Sequence, residues 1–260
     1  MKTVIIIPSR YDSTRFPGKS LSQIAGKTLI QRVWQLACKV QRVDEVYIAT
    51  DDQRIASYIS DIGGKFVMTP EACPTGSDRT WHAVRQLPFK PVNVINLQGD
   101  AILTPPWVIQ ALVDALQQNP SAKIVTPAVR LNEAQYAAFL KSKEETPSSG
   151  TTVVFDRNHR ALYFSKRVIP YMRNVTAQAA VYRHIGIYGY TYDALAHYAT
   201  LEQTPLELVE GLEQLRALEN GIPIQVVEVD YQRRTHWSID NPEDVARAEA
   251  IMAAEGDLTE

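Results

Sequence analysis

The amino-acid sequence predicts an α/β fold, with a mixed but mainly parallel sheet, helices on both faces and a small β-rich insertion in the second half. Short apolar runs such as residues 4–7 and 92–97 alternate with helix-period segments in repeated βαβ order. The 260 residues, 45% of them hydrophobic, are enough for a large core within a single domain. Past about Asn132 the alternation gives way to β-branched and aromatic runs that read as hairpins.

Taken in order, residues 4–7 are wholly apolar, as in a strand buried on both faces of a parallel sheet. Leu29, Ile30, Val33, Trp34, Leu36, Ala37 and Val40 then recur at helical spacing, and residues 46–49 read as a second strand. Asp52 is placed to cap a helix through about residue 62, where Gly63-Gly64 stops it, and residues 65–68 form a third strand. A helix follows Ser77-Asp78. Residues 92–97 form an apolar strand, Thr104 caps a helix with Pro105-Pro106 in its first turn, and residues 124–129 form another strand. Residues 141–149, charged, serine-rich and broken by Pro147, predict an exposed loop. Residues 151–155 and 161–164 flank a hairpin turn at 156–160, and residues 185–190 supply the return strand. Helices fit residues 206–219 and 242–254, with a strand at 224–229 between them.

A formal charge of −2 with signs mixed along the chain gives no basic field, so neither nucleic acid nor an anionic membrane is an expected partner. Cys38 and Cys73 lack CxxC spacing, there is no signal-like N-terminus, and no apolar run approaches the roughly 18 residues that span a bilayer. The expectation is a reduced, cytoplasmic protein.

The chemistry concentrates at the carboxyl ends of strands. The first strand runs into Pro8-Ser9-Arg10-Tyr11-Asp12-Ser13-Thr14-Arg15-Phe16-Pro17-Gly18-Lys19, on the rim where open α/β sheets bind ligands. Arg10, Arg15 and Lys19 can face a triphosphate there, although a solvated basic turn has the same composition. The loop lacks the Gly-Lys-Ser/Thr ending of a Walker loop and the G-x-G-x-x-G dinucleotide fingerprint. Gln98-Gly99-Asp100 follows residues 92–97, so Asp100 emerges on the same rim. Its carboxylate could hold a divalent ion against phosphate, or simply cap a turn.

These two segments, together with Ala49-Thr50-Asp51-Asp52, Thr75-Gly76-Ser77-Asp78-Arg79, Ala161-Leu162-Tyr163-Phe164-Ser165, Arg183-His184-Ile185-Gly186-Ile187-Tyr188-Gly189-Tyr190, Leu212-Glu213-Gln214-Leu215-Arg216 and Ile239-Asp240-Asn241-Pro242-Glu243-Asp244, resemble the bacterial 3-deoxy-manno-octulosonate (Kdo) cytidylyltransferases. Eight collinear motifs span nearly the whole chain. The resemblance implies a homodimer of nucleotidyltransferase-type, Rossmann-like fold. Each chain would be one domain, with a nucleotide-binding half at 1–131 and an acceptor and dimerisation half at 132–260. It implies CTP as co-substrate, magnesium as cofactor and an acidic sugar as acceptor.

By matching position, Arg10, Ser13, Arg15 and Lys19 would hold the triphosphate, and Ser77, Arg79 and Gln98 would read and position the nucleotide. Asp100 and Asp240 would bind the metal and, with Arg10 and Lys19, form the catalytic set. Arg173, His184, Tyr188, Glu213 and Gln214 would bind the acceptor. The chain departs from the family pattern at Ala101, at Thr152 and in His236-Trp237-Ser238 before Asp240. Ala101 and Thr152 are therefore expected in or near the acceptor pocket, altering acceptor choice. The alternatives are a related enzyme activating an amino-ulosonate, nonulosonate or phosphonate, and a non-catalytic CTP-binding regulator, against which the retention of both aspartates argues.

Overall fold

The computed structural model describes residues 2–13, 15–173 and 180–260. In chain order the first half comprises β1 (Thr3–Pro8), a 3-10 turn at Lys19–Leu21, the short hairpin β2 (Gln23–Ile24) and β3 (Lys27–Thr28), α1 (Leu29–Cys38), β4 (Glu45–Thr50), α2 (Gln53–Asp61), β5 (Lys65–Met68), α3 (Gly76–Val84), β6 (Asn93–Asn96), α4 (Pro106–Gln118) and β7 (Ile124–Arg130). The second half adds α5 (Glu133–Glu145), β8 (Thr151–Phe155), β9 (Ala161–Ser165), β10 (Tyr182–His184), β11 (Tyr188–Thr191), α6 (Tyr192–Tyr198), α7 (Pro205–Glu210), α8 (Gln214–Glu219), β12 (Ile224–Glu228) and α9 (Glu243–Glu255).

Among the described residues ten strands form one sheet in the order β5-β4-β1-β6-β11-β7-β10-β8-β9, with β12 pairing to β7. β5, β4, β1 and β6 are mutually parallel, while β11 runs antiparallel between β6 and β7. The chain leaves β1 toward β4 on one side and later returns to β6 on the other. This reversal opens a crevice beyond the carboxyl ends of β1 and β6, the place where open α/β sheets bind ligands.

The strand period explains the layers. Ile5 and Ile7 pack with Leu29, Val33, Ile55 and Ile109 on one face, under α1, α2 and α4. Val4 and Ile6 point to the opposite face, toward Val84, Leu195 and Leu215 of α3, α6 and α8. All four residues of this run are completely buried, each burial contributing about 1.5–3 kcal/mol relative to exposure.

Four expectations change. Much of the stretch read as an exposed loop belongs to α5, which Asn132 starts through a capping box with Gln135. Phe139 is its only buried residue, so no apolar stripe advertises the helix. The expected helix over 206–219 is two, because Gly211 takes the left-handed conformation (φ 64°) that ends α7. The return strand is broken, since the Ile187 amide closes a tight turn on the Ile185 carbonyl at 2.7 Å between β10 and β11. Thr104 is not the cap of α4; Pro105 holds that position without a side-chain bond. The β8–β9 hairpin of the β-rich second half continues the main sheet through β10.

Candidate active site

The first cavity, about 270 Å³, lies where the β1 and β6 loops meet and is lined by Arg10, Ser13, Arg15, Lys19, Gln98 and Asp100 among others. Gly99 permits the meeting: a Cβ there would lie 2.8 Å from the Pro8 carbonyl oxygen, too close for any side chain. Lys19 is placed by the 3-10 turn so that its ammonium donates to Asp100 Oδ2 (3.1 Å) and to the Ile239 carbonyl (2.8 Å). It thus ties the β6 loop to the segment that carries Asp240. Arg15 reaches Asp240 Oδ1 at 2.6 Å. Arg10 is exposed at the mouth.

The three residues expected to read the nucleotide sit differently from one another. Gln98 lines the cavity and donates to Asn96 Oδ1 at 3.1 Å. Arg79 also touches the cavity, but its guanidinium is buried against Asp51 (2.6 Å) and Thr69 (2.7 Å). Ser77 is fully buried behind the wall, its hydroxyl between Tyr190 Oη (2.9 Å) and Asn96 Nδ2 (3.0 Å). Arg79 and Ser77 therefore shape the pocket from behind.

A second cavity of about 420 Å³ opens on the other side of the Arg15–Asp240 pair, and these two residues line both. His184, Tyr188 and Gln214 line it, as expected of acceptor-binding residues. Tyr188 donates to Gln214 Oε1 at 2.8 Å. The Thr126 hydroxyl donates to the Ile187 carbonyl (2.8 Å), so His184 Nε2 must carry the proton in its 2.8 Å contact with Thr126 Oγ1. Burial, reinforced by the Lys166 charge, pulls the imidazole down to about 3 and keeps it neutral. Two other expected residues do not line this cavity. Glu213 directs Oε2 to the Ser77 amide at the start of α3 (3.1 Å), and burial raises its pKa. Arg173 is exposed just before residues 174–179, which lie outside the described residues.

Ala101 and Thr152 follow residues that line the cavities, Asp100 and Thr151, but do not face into them. Ala101 is packed in the apolar core beside Ile102 and Leu103. Thr152 is fully buried, donating to the Arg167 carbonyl (2.7 Å) and accepting from the Ile169 amide (3.1 Å). Neither lines either cavity.

Sequence reasoning missed Arg183 and Lys166, which do line the second cavity. Strand alternation sends Arg183 to the face opposite His184, yet the chain turns immediately after His184 and both meet the cavity. Burial lowers the pKa of both cations.

The cytidylyltransferase family profile matches residues 4–227. The chain is 50% identical to a 3-deoxy-manno-octulosonate cytidylyltransferase of Maricaulis maris, over 99% of this chain and 100% of the relative. It is 41% identical to the enzyme of the same name from Desulfatibacillum aliphaticivorans, over 97% and 99%. A solved CMP:2-keto-3-deoxy-manno-octonic acid synthetase complexed with CTP superposes with a TM-score of 0.86 at 35% identity, covering 98% of this chain and 100% of that one. A 4-diphosphocytidyl-2C-methyl-D-erythritol synthase from Anaerococcus prevotii, 14% identical with a TM-score of 0.61, shares the fold. With likeness of this extent along its whole length, the chain is a nucleotidyltransferase and belongs to the 3-deoxy-manno-octulosonate cytidylyltransferase family.

Proposed function

We propose that this enzyme transfers CMP from CTP to the anomeric hydroxyl of Kdo, releasing pyrophosphate. The observation that carries the reading is the Arg15–Asp240 pair common to two adjoining cavities. One cavity has cations and phosphate-loop residues suited to a triphosphate; the other has a neutral histidine and amide and phenol groups suited to a sugar. In the reaction the anomeric oxygen bonds to the α-phosphorus, the bond from that phosphorus to the β-bridging oxygen breaks, and the hydroxyl proton is lost. Such transfer depends on alignment and charge neutralisation rather than a protein nucleophile. Arg10, Arg15 and Lys19 would neutralise the departing pyrophosphate, and Gln98 would position the nucleotide.

Magnesium fits the residues present. Asp100 and Asp240 line the same cavity, and each already faces a cation, Lys19 and Arg15 respectively. Among the described residues no group of three or more His, Cys, Asp or Glu side chains could hold a metal, so the two aspartates would share the ion with substrate oxygens, the arrangement magnesium favours. When bound, the ion would supply charge stabilisation at the α-phosphate.

The reading includes a homodimer and a cytoplasmic setting. The outer edge strand β9 exposes Leu162 (63%), and α7 exposes Leu208 (63%) and Val209 (83%), apolar surface of the kind that partner subunits cover. Cys38 and Cys73 are both free, as a reducing compartment would keep them. Among the described residues no helix is long and apolar enough to cross a membrane.

Pyrophosphate release tests the activity. Turnover of Kdo is expected with CTP and magnesium, and little with ATP or after chelation. Equal turnover of ATP and CTP would remove the nucleotide assignment.

A further inference from the structure

Part of the wall of the second cavity is a turn that one side chain holds from outside. Thr146, Ser148, Ser149, Gly150 and Thr151, between α5 and the start of β8, line this cavity, as does Lys166 just past the end of β9. Among the described residues the backbone of 146–150 closes a single bond of its own, from the Ser149 amide to the Thr146 carbonyl (3.0 Å). Three more carbonyls of the turn point to Lys143. From the last turn of α5 its half-buried ammonium donates to the carbonyls of Gly150 (2.8 Å), Pro147 (3.3 Å) and Ser149, and across to that of Lys166 (2.7 Å).

The packing beneath the turn suits this grip. The ammonium lies 5.1 Å from the centre of the Phe139 ring, one helical turn earlier. Phe139 in turn fills the space under Gly150, where a Cβ would lie 2.6 Å from Phe139 Cε2 and where φ is 70°. No carboxylate forms an ion pair with Lys143 among the described residues. Burial and the nearby cations Lys166, Arg183 and Arg167 pull its pKa down to about 8, and Glu210 opposes them. The charge is therefore compensated chiefly by carbonyl oxygens, and those carbonyls are gathered by the charge.

We infer that Lys143 is a positioning residue for acceptor binding, whose ammonium ties the turn at 146–150 to Lys166 and so holds this wall of the second cavity in the form that the acidic sugar meets. Lys143 itself lines neither cavity. Without the ammonium the turn keeps one internal bond and its other carbonyls turn to water, so the wall is formed only part of the time. A site competent for a fraction of the time loses apparent affinity by that fraction. The nucleotide cavity shares no residue with the turn, so CTP binding is spared. The inference rests on the cytidylyl-transfer reading above and adds to it a residue outside both cavities.

The test is Lys143→Met, which keeps an unbranched side chain and removes the ammonium. In pyrophosphate release with CTP and magnesium, KM for Kdo should rise by about tenfold, while kcat and KM for CTP stay within about twofold of wild type. Cleavage of the native protein after Glu144 or Glu145 by a glutamate-specific protease should quicken by a similar factor, about tenfold. Gly150→Ala keeps Lys143 but pushes the turn off Phe139; it should raise KM for Kdo in the same way, and it decides the matter if the first variant does not fold. An unaltered KM for Kdo in a folded variant, equal rises in KM for Kdo and CTP, or a higher KM for Kdo without faster cleavage overturns the inference and leaves the transfer reading intact. Wild-type protein that binds CTP yet releases no pyrophosphate with Kdo overturns the transfer reading and the inference with it.

Discussion

Single side chains at the cavity divide into those that face it and those that hold its wall. Asp100 belongs to the first kind: its carboxylate faces the cleft, and Lys19 is its protein partner at 3.1 Å. Asp100→Asn keeps the shape and removes the charge, so kcat should fall by about a hundredfold or more, as when one electrostatic contact to a developing charge is lost. CTP binding should suffer less. Steady-state kinetics with circular dichroism to confirm folding would check this, and near-normal turnover would move the metal assignment elsewhere. Ser77 belongs to the second kind. Its side chain was legible as part of a motif, but only the packing of Tyr190 and Asn96 around it shows that the hydroxyl faces inward.

At the scale of elements, the chain's end is fastened to α1. Arg32, almost wholly buried, donates to the Ile24 carbonyl (2.6 Å), the Ala25 carbonyl (2.6 Å) and Asp257 Oδ2 (2.7 Å). Burial alone would raise the Asp257 pKa; hydrogen bonds from Arg32 and Thr259 outweigh it and pull the group down to about 2. A folded pKa below the unfolded value of about 3.9 means stability that is present above pH 4 and lost as pH falls from about 4 to 2. The contribution at neutral pH is on the order of 1–2 kcal/mol after allowing for solvent screening. Asp257→Asn should therefore lower the denaturation midpoint at pH 7, with the gap to wild type closing near pH 2. A gap constant across that range would assign the loss to packing instead of charge.

Over the whole molecule, a long sheet ends at β9 with its outer edge unpaired among the described residues, next to the apolar surface of α7. Glu210 at the end of α7 accepts from Ser165 Oγ (2.7 Å) and the Lys166 amide (2.7 Å), which ties this edge to the residues bordering the second cavity. If two chains pair through this surface, Val209→Glu should shift the protein from dimer to monomer in light scattering while leaving the melting temperature nearly unchanged. A dimer that persists would place the interface on another face.

Local patterns in the sequence were sufficient for the parallel half of the fold and for placing the cation-bearing loop after β1 on its rim. Apolar runs of four residues, caps such as Asp52 and glycine stops act over a few residues and need no tertiary context. α5 escaped because it buries little, and β10 and β11 were read as one strand because the break between them is set by backbone geometry rather than composition. The position of Ala101 and Thr152 could not be read either, since whether a side chain faces a cavity or the core depends on how the sheet is covered. The pairing of Asp100 with Asp240 came from family likeness alone. What brings them to one cleft is tertiary: Lys19 bonds to Asp100 and to the carbonyl preceding Asp240, joining segments far apart in the chain.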